Sequence, residues 1–242
     1  SSCIFQEKME FGCIGALDIK VQCSGFIYGL SIAEQYIKSG QFNNILVIGA
    51  EVQSTAMDLT NRGRNTAVIF ADGAGAAIVS SKKAGGKILS THLHSEGKYA
   101  KQLWVESPSS SSKPTIDSNK ISEGRHFLQM NGKEVFKHAV KRFPEVIVEG
   151  LEHNKLRIED LDILIPHQAN LRISKFIQKK LNLLDNQVFS NIHKYGNTTA
   201  ASIPIAFSEA LKEGKISKGN IVVLASFGSG FTWGSCILYW EG

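Results

Sequence analysis

Residues 23–40 of this chain read CSGFIYGLSIAEQYIKSG and lead into QFNNILVIGAE at 41–51, and a similar succession returns near the other end. Residues 197–214 read NTTAASIPIAFSEALKEG and are followed by KISKGNIVVLASF. Each copy has a polar first residue, a helix rich in small residues, a glycine typical of a helix C-terminus and an apolar strand. The repeat predicts two halves related by a pseudo-twofold axis, with Cys23 opposite Asn197. Chance similarity between two helix–strand units is the alternative interpretation.

Strand-like apolar runs alternate with helical periodicity along the chain. Strands are predicted over residues 44–50, 74–80, 161–166, 221–226 and 235–240. Helices are predicted over residues 25–39, 132–153 with a kink at Pro144, 171–181 and 201–212. This alternation predicts an α/β protein with helices covering a mostly parallel sheet, in which 44–50 is a buried strand. Residues 81–122, rich in Ser, Gly and Pro, are predicted to form a surface flap.

Bulk composition excludes several classes of protein. The 242 residues are 43% hydrophobic and 20% charged, which is ordinary for a globular protein, and no apolar run reaches the ~18 residues of a membrane span. The first residues lack the apolar core of a signal peptide. Four cysteines without paired spacing suggest neither a disulfide framework nor a metal site, and they fit a cytoplasmic protein. The net charge of +5 without an arginine-rich arm argues against a nucleic-acid role.

Three polar or reactive side chains stand where apolar strands or loops lead into helices. They are Cys23, His167 in PHQAN (166–170) and Asn197 in YGNTTA (195–200). A thiol, an imidazole and a carboxamide at such junctions are the parts of a cysteine nucleophile site. A single cysteine in an apolar stretch is more often a buried core residue, so the argument rests on the three together. The helix that begins at Cys23 is expected to lower the thiol pKa.

Two further features have both a structural and a functional interpretation. The glycine-rich segment FGSGF (227–231) follows a predicted strand, and is either a tight turn or a source of backbone N–H donors for an oxyanion. Asn170 is either a helix cap, a residue that orients His167, or a direct participant.

Several blocks in register resemble the thiolase superfamily and, within it, the β-ketoacyl-acyl carrier protein synthase III enzymes. The blocks are CSGFIYGL, FADGAGAAIV, MNGKEVFKHAV, PHQANLRI, YGNTTAASIPIA and FGSGFTWGS, and they cover essentially the whole chain. The Cys/His/Asn set separates this branch from elongating ketoacyl synthases, which use a second His in place of Asn197. Degradative thiolases instead use a second Cys near the C-terminus.

The resemblance implies a thiolase-like layered α/β/α/β/α fold with two pseudo-symmetric halves, the first of them truncated. Residues 1–122 would be the remainder of the N-terminal half, with the nucleophile Cys and the flap, and residues 123–242 the C-terminal half with His and Asn. The N-terminal part of the family chain, including residues that clamp the CoA adenine, is expected to be missing.

The resemblance also implies an activity. It is the decarboxylative Claisen condensation of an acyl-CoA primer with malonyl-acyl carrier protein, which initiates fatty acid synthesis through an acyl-Cys23 intermediate and needs no cofactor beyond these substrates. His167 and Asn197 would donate hydrogen bonds to the malonyl thioester oxygen. The N–H groups of Cys23 and Ser229 would form the oxyanion hole.

Further roles are implied only by the resemblance. Phe227 would pack beside the nucleophile, Asn131 and Gly132 would line the pantetheine channel, Asn170 would bind substrate, and Arg172 would help dock acidic acyl carrier protein. The implied protein is a cytoplasmic homodimer that binds neither nucleic acid nor membrane. Three alternatives stay open: a related secondary-metabolite ketosynthase, a Cys-dependent thioester hydrolase, and an inactive truncated scaffold.

Overall fold

The computed structural model describes residues 1–82 and 85–242, and within them three sheets are assembled from eight strands. The strands are β1 (Asn44–Glu51), β2 (Gly73–Ser80), β3 (Gly86–Ser95), β4 (Leu103–Trp104), β5 (Gln129–Met130), β6 (Ile163–Pro166), β7 (Ile221–Gly228) and β8 (Thr232–Trp240). The α-helices are α1 (Ser2–Lys8), α2 (Gly25–Lys38), α3 (Arg64–Ala67), α4 (Ser118–Ser122), α5 (Gly132–His153), α6 (Leu171–Lys180), α7 (Ile192–Tyr195) and α8 (Ser202–Lys212). In the described residues, none of these helices combines the length and apolarity needed to cross a bilayer.

The central sheet has the strand order β3-β8-β7-β6 and is buried on both faces. Successive side chains of β7 point to opposite faces, so that Val223 and Ala225 enter one apolar cluster while Val222 and Leu224 enter the other. The first cluster contains the inner faces of α5 and α6. The second contains those of α2 and α8, with Val47 of β1 packed on their far side. Helix, sheet, helix and sheet therefore follow one another, which confirms the thiolase-like layered α/β fold.

Strand pairing corrects the prediction of a mostly parallel sheet. Only β6 and β7 pair in parallel among the named strands of the described residues, while β1–β2, β3–β8, β7–β8 and β4–β5 are antiparallel. Strands β1 and β2 are antiparallel neighbours, so they are not joined by the crossover that a parallel pair needs. The prediction that 44–50 is buried is also wrong: Leu46, Ile48 and Ile78 share one face of this two-stranded sheet and are 41%, 39% and 70% exposed.

The prediction of a surface flap over residues 81–122 is wrong for part of that range. Residues 86–95 form β3, which pairs with β8 and occupies one edge of the central sheet. Ile88 and Leu93 both pack on the second cluster, because a bulge between Ile88 and Ser90 shifts the register of β3. Residues 83–84 of the predicted flap lie outside the described residues. The other described residues of the range form only short elements, which are a 3₁₀ helix at Gly97–Gln102, β4 and α4.

The two repeated units have the same local structure. Each begins with a 3₁₀ turn, at Gln22–Ser24 and Thr199–Ala201, which runs into α2 or α8. The first residue of each turn has a positive φ, 46° at Gln22 and 43° at Thr199. The predicted terminal glycines, Gly40 and Gly214, follow the helices with φ of 73° and 67°. When the two units are aligned at their first turns, Cys23 corresponds to Ala200. When they are aligned at the glycines after the helices, Cys23 corresponds to Asn197. The two alignments differ by three residues because α2 has 14 residues and α8 has 11.

Small residues let the two units approach closely. A Cβ placed on Gly49 of β1 would lie 2.7 Å from the carbonyl carbon and oxygen of Ala200, and one on Gly25 would lie 3.5 Å from the Ala200 Cβ. The absence of a side chain at Gly49 therefore fixes the distance between β1 and the turn that precedes α8.

We expect Gly49→Ala to lower the free energy of unfolding by about 1–3 kcal/mol, because the added methyl must displace backbone atoms. Gly97→Ala is the matched control, since Gly97 is exposed and a Cβ there meets nothing within 4 Å. It should leave stability unchanged or raise it by up to about 1 kcal/mol. Urea unfolding measures both values. Equal stability of the two variants would contradict the close approach.

Candidate active site

Three separate elements place Cys23, His167 and Asn197 around one cavity. Cys23 lies in the 3₁₀ turn before α2, and His167 follows β6, where its N–H extends the ladder by donating to the carbonyl of Ala225. Asn197 pairs with Phe70 through a parallel bridge. All three line a cavity of about 140 Å³. Their exposed fractions are 5%, 1% and 4%, so the structure brings the predicted thiol, imidazole and carboxamide together in a buried space.

The remaining wall of the cavity is almost entirely apolar. It consists of Ile69, Phe70, Leu103, Met130, Gly132, Val135, Phe136, Ala139, Phe143, Ala169, Asn170, Ile173, Phe227 and Gly228. Such a lining suits a hydrocarbon chain, and it leaves the three polar groups as the points that can fix a ligand.

The backbone of the FGSGF segment packs closely against Cys23. A Cβ on Gly228 would lie 2.4 Å from the Cys23 Cβ and 2.8 Å from its sulfur, so only glycine fits beside the thiol. The N–H groups of Ser229 and of Cys23 itself lie near enough to the Cys23 sulfur to lower the pKa of its thiol. The Ser226 hydroxyl donates to the Cys23 carbonyl at 2.8 Å. Two N–H donors thus converge where an oxyanion would form next to an acylated sulfur.

The protonation of Cys23 differs from the sequence-based expectation. Burial raises the pKa of the Cys23 thiol to about 12, with a smaller contribution in the same direction from the charge of Glu51, while the Ser229 and Cys23 N–H groups oppose the shift. The helix terminus was expected to lower this pKa, but desolvation of the thiolate is the larger effect. In the substrate-free protein Cys23 is therefore held as a thiol at neutral pH.

His167 is held neutral. Burial lowers the pKa of its imidazole to about 3. Its Nδ1 lies 2.6 Å from the Ser202 hydroxyl oxygen at the start of α8. Its Nε2 is buried and, in the described part of the chain, has no hydrogen-bond partner. A ligand oxygen in the cavity could accept a hydrogen bond from a protonated Nε2.

Asn197 is oriented by its own loop. Its side-chain oxygen accepts a hydrogen bond from the Thr199 N–H at 2.9 Å. Because the oxygen is engaged by that donor, the NH₂ group is left for the cavity. Asn197 and His167 therefore present two separate polar groups beside Cys23.

These contacts do not form the chain of a hydrolytic triad. In a Cys–His–Asn hydrolase, the thiol bonds to the imidazole and the amide oxygen orients the ring. Here the amide oxygen is bound by Thr199 and the ring by Ser202. Across the described residues, no hydrogen bond joins the Cys23 sulfur to His167 Nε2.

The other residues suggested by the sequence fall into two groups. Phe227, Gly132 and Asn170 line the cavity, and Asn170 also caps α6 by accepting from the Arg172 N–H at 2.9 Å. Asn131 is outside the wall, where its side chain caps α5, and Arg172 is exposed at the start of α6. Their predicted roles with substrate and carrier protein stay predictions.

Sequence reasoning missed the residues that orient the polar groups. Ser202 and the Thr199 N–H lie within five residues of Asn197, inside a block that the sequence already marked, but nothing in that block indicates that Ser202 contacts His167. Leu103 and Met130 also escaped notice, because they reach the wall through the two-residue pair β4–β5.

We expect the alkylation of Cys23 by iodoacetamide to accelerate by about tenfold per pH unit from about pH 7 to about pH 10, because its thiol titrates above this window. Mass mapping of the modified peptide follows Cys23 separately from the exposed Cys3 and Cys13. Cys23→Ala supplies the background. A rate that levels off near neutral pH would contradict the raised pKa.

Comparison with known proteins agrees with this geometry. Residues 17–97 match the model of 3-oxoacyl-[acyl-carrier-protein] synthase III, and residues 151–240 match that of its C-terminal part. The curated β-ketoacyl-[acyl-carrier-protein] synthase III of Caldanaerobacter subterraneus subsp. tengcongensis is 43% identical over 241 residues, covering 100% of this chain and 72% of the relative. The crystal structure of 3-oxoacyl-[acyl-carrier-protein] synthase III from Aquifex aeolicus is 41% identical with a TM-score of 0.86, covering 98% and 71% of the two chains. The priming β-ketosynthase of the R1128 polyketide pathway is 30% identical with a TM-score of 0.86, covering 98% and 69%. This chain belongs to the 3-oxoacyl-[acyl-carrier-protein] synthase III family.

Proposed function

We propose that this protein condenses an acyl-CoA primer with malonyl-acyl carrier protein and so initiates fatty acid synthesis. One observation supports this most strongly: a buried thiol, a neutral imidazole and a carboxamide open into one apolar cavity without bonding to one another. Such a site has a nucleophile and two separate polar groups for a second substrate, and it lacks the Cys–His contact of a hydrolase.

The first step is acyl transfer. The Cys23 sulfur attacks the thioester carbon of the acyl-CoA, and its carbonyl oxygen takes the negative charge while the N–H groups of Cys23 and Ser229 donate to it. The C–S bond to CoA then breaks. Cys23 loses one proton and the departing CoA thiolate takes up one, so that acyl-Cys23 forms without net proton release. Because the pKa of the Cys23 thiol is high, the free protein holds little thiolate, and the thiol would lose its proton only after the acyl-CoA has bound.

The second step is decarboxylation and carbon–carbon bond formation. The bond to the malonyl carboxylate breaks, CO₂ leaves, and its electron pair moves onto the thioester as an enolate, whose oxygen accepts from His167 and Asn197. The enolate carbon attacks the acyl-Cys23 carbon, and the C–S bond to Cys23 breaks. The products are CO₂, 3-oxoacyl-acyl carrier protein and the Cys23 thiolate, which takes up one proton from solvent and returns to the thiol. The sequence is redox-neutral and uses no cofactor beyond the two thioesters.

The carrier protein would approach over the exposed parts of α5 and α6. Lys133, Lys137, Arg172 and Lys175 are exposed there, next in sequence to the cavity residues Gly132, Phe136 and Ile173. Positive charge around the cavity mouth attracts an acidic carrier protein. Asn131 and Asn170, at the starts of the two helices, would contact the pantetheine arm.

We propose a homodimer in the cytoplasm. Strand β2 pairs only with β1 among the described strands, so its other edge is open, and the exposed Ile78 lies on it. An open apolar edge favours pairing with a second strand. All four cysteines are unpaired, as is usual in a reducing compartment.

Incubation with acetyl-CoA should add one acetyl group to the protein, and Cys23→Ala should remain unmodified. Intact mass spectrometry measures the adduct, and a series of longer acyl-CoAs ranks the primers. Release of free acid without an accumulating adduct would indicate the hydrolase instead. A folded protein that takes up no acyl group would indicate an inactive scaffold.

His167→Ala and Asn197→Ala should separate the two steps. Each variant should still form acyl-Cys23, because neither side chain serves the first oxyanion. Each should lose about 10²–10³-fold in the rate of malonyl-acyl carrier protein decarboxylation, the usual effect of removing one oxyanion donor. Release of CO₂ from labelled malonyl thioester measures this rate. Equal loss in both steps would contradict the proposed division of roles.

A further inference from the structure

Among the described residues, Ser202 makes the only side-chain hydrogen bond to the ring of His167. The Ser202 oxygen lies 2.6 Å from His167 Nδ1 and accepts from the N–H of Gln168 at 3.3 Å. His167, Gln168 and Ser202 are 1%, 1% and 2% exposed, so water does not compete for these contacts. The position of the proton between Ser202 and His167 therefore follows from the available partners.

Counting donors and acceptors assigns that proton. The hydroxyl oxygen of Ser202 already accepts from Gln168, and its single hydrogen needs an acceptor. Within residues 1–82 and 85–242, His167 Nδ1 is the acceptor in reach. If Nδ1 carried the proton, both the Ser202 hydrogen and the bare Nε2 would be buried without partners. Buried polar groups without partners are destabilising, so the arrangement with the fewer of them is favoured.

We propose that Ser202 is a positioning residue that fixes His167 as the Nε2–H tautomer, the form in which the imidazole can donate the hydrogen bond that the proposed condensation requires of it. This inference rests on the proposed function for its catalytic consequence, but the tautomer itself does not. With the proton on Nε2, that nitrogen has no lone pair with which to accept the Cys23 proton.

The same short segment orients both polar groups. Thr199 holds the amide oxygen of Asn197, and Ser202, three residues later, holds Nδ1 of His167. The Nε2–H and the amide NH₂ are consequently left for the cavity, where two donors can meet one enolate oxygen. A bare Nε2 would instead repel that oxygen. The low pKa of His167 agrees with a ring that stays neutral throughout.

The tautomer can be read from the wild-type protein. In ¹⁵N-histidine-labelled protein, long-range ¹H–¹⁵N spectra distinguish a protonated from an unprotonated ring nitrogen, and His167→Asn identifies the His167 signals by their loss. We expect Nδ1 to be unprotonated and Nε2 protonated, unchanged from about pH 6 to about pH 8. The opposite pattern would overturn the proposal whatever the activity of the protein.

Kinetics then test the catalytic consequence. Ser202→Ala should slow the decarboxylation of malonyl-acyl carrier protein by about tenfold, while the rate of Cys23 acylation by acetyl-CoA stays at the wild-type value. Ser202→Thr, which keeps the hydroxyl, should restore much of the lost rate. Circular dichroism and the acylation rate report on folding.

The outcomes separate the two proposals. Failure of the wild-type protein to acylate would overturn the proposed function and leave the spectrum to decide the tautomer. Normal acylation together with wild-type decarboxylation in Ser202→Ala would overturn the role of Ser202 alone. An equal loss of both rates in Ser202→Ala would show a structural role and would also overturn it.

Discussion

The site depends on the close approach of two pairs of chain segments, which only glycine permits at the points of contact. Gly49 meets the backbone of Ala200, and Gly228 meets the sulfur of Cys23. The first contact sets the distance between β1 and the turn before α8, and the second sets the distance between β7 and the turn before α2. Because α2 and α8 also share one apolar cluster, the two contacts fix how their N-termini face each other. Nucleophile and polar groups lie at the ends of these rigid elements, so their separation is determined by packing and not by loop conformation.

Burial then determines the protonation of the reactive groups. The same desolvation that raises the pKa of the Cys23 thiol lowers that of the His167 imidazole, and both changes favour the uncharged form. A preformed thiolate–imidazolium pair is therefore disfavoured, in contrast to a cysteine hydrolase. Charge arises in this cavity only when a thioester is attacked or decarboxylated, and N–H donors are already in position at both places. Such preorganised donors are most effective where water is excluded, as it is within this apolar wall.

Much of the fold and the three central residues could be predicted from the sequence, and the failures have physical causes. Helices α2, α5, α6 and α8 and strands β6, β7 and β8 were predicted to within a few residues, because their apolar periodicity matches their burial. Strand β3 was missed because Ser, Thr and His are interspersed with its few apolar residues, so that its composition resembles that of a polar loop. Only its pairing with β8 shows that it is a strand. The buried parallel character assigned to β1 was wrong, since an apolar run does not specify its partner strand. The thiol pKa was predicted in the wrong direction because a sequence shows a helix terminus but not the depth of burial.

If His167 is the Nε2–H tautomer as proposed, the site lacks a general base, which favours a carbon nucleophile over water. In the proposed tautomer, a water molecule or an alcohol that attacks acyl-Cys23 gains no help from His167 in losing its proton. That proton would have to pass to the departing thiolate, as it does in the proposed acylation of Cys23. An enolate formed by decarboxylation needs no deprotonation, because CO₂ leaves its electron pair behind. Two hydrogen-bond donors of low acidity stabilise the enolate oxygen without supplying a proton that would quench the carbanion. Ser202 and Thr199 are therefore as important to this selectivity as the groups that they hold, since a reversed imidazole or a flipped amide would present lone pairs in place of donors.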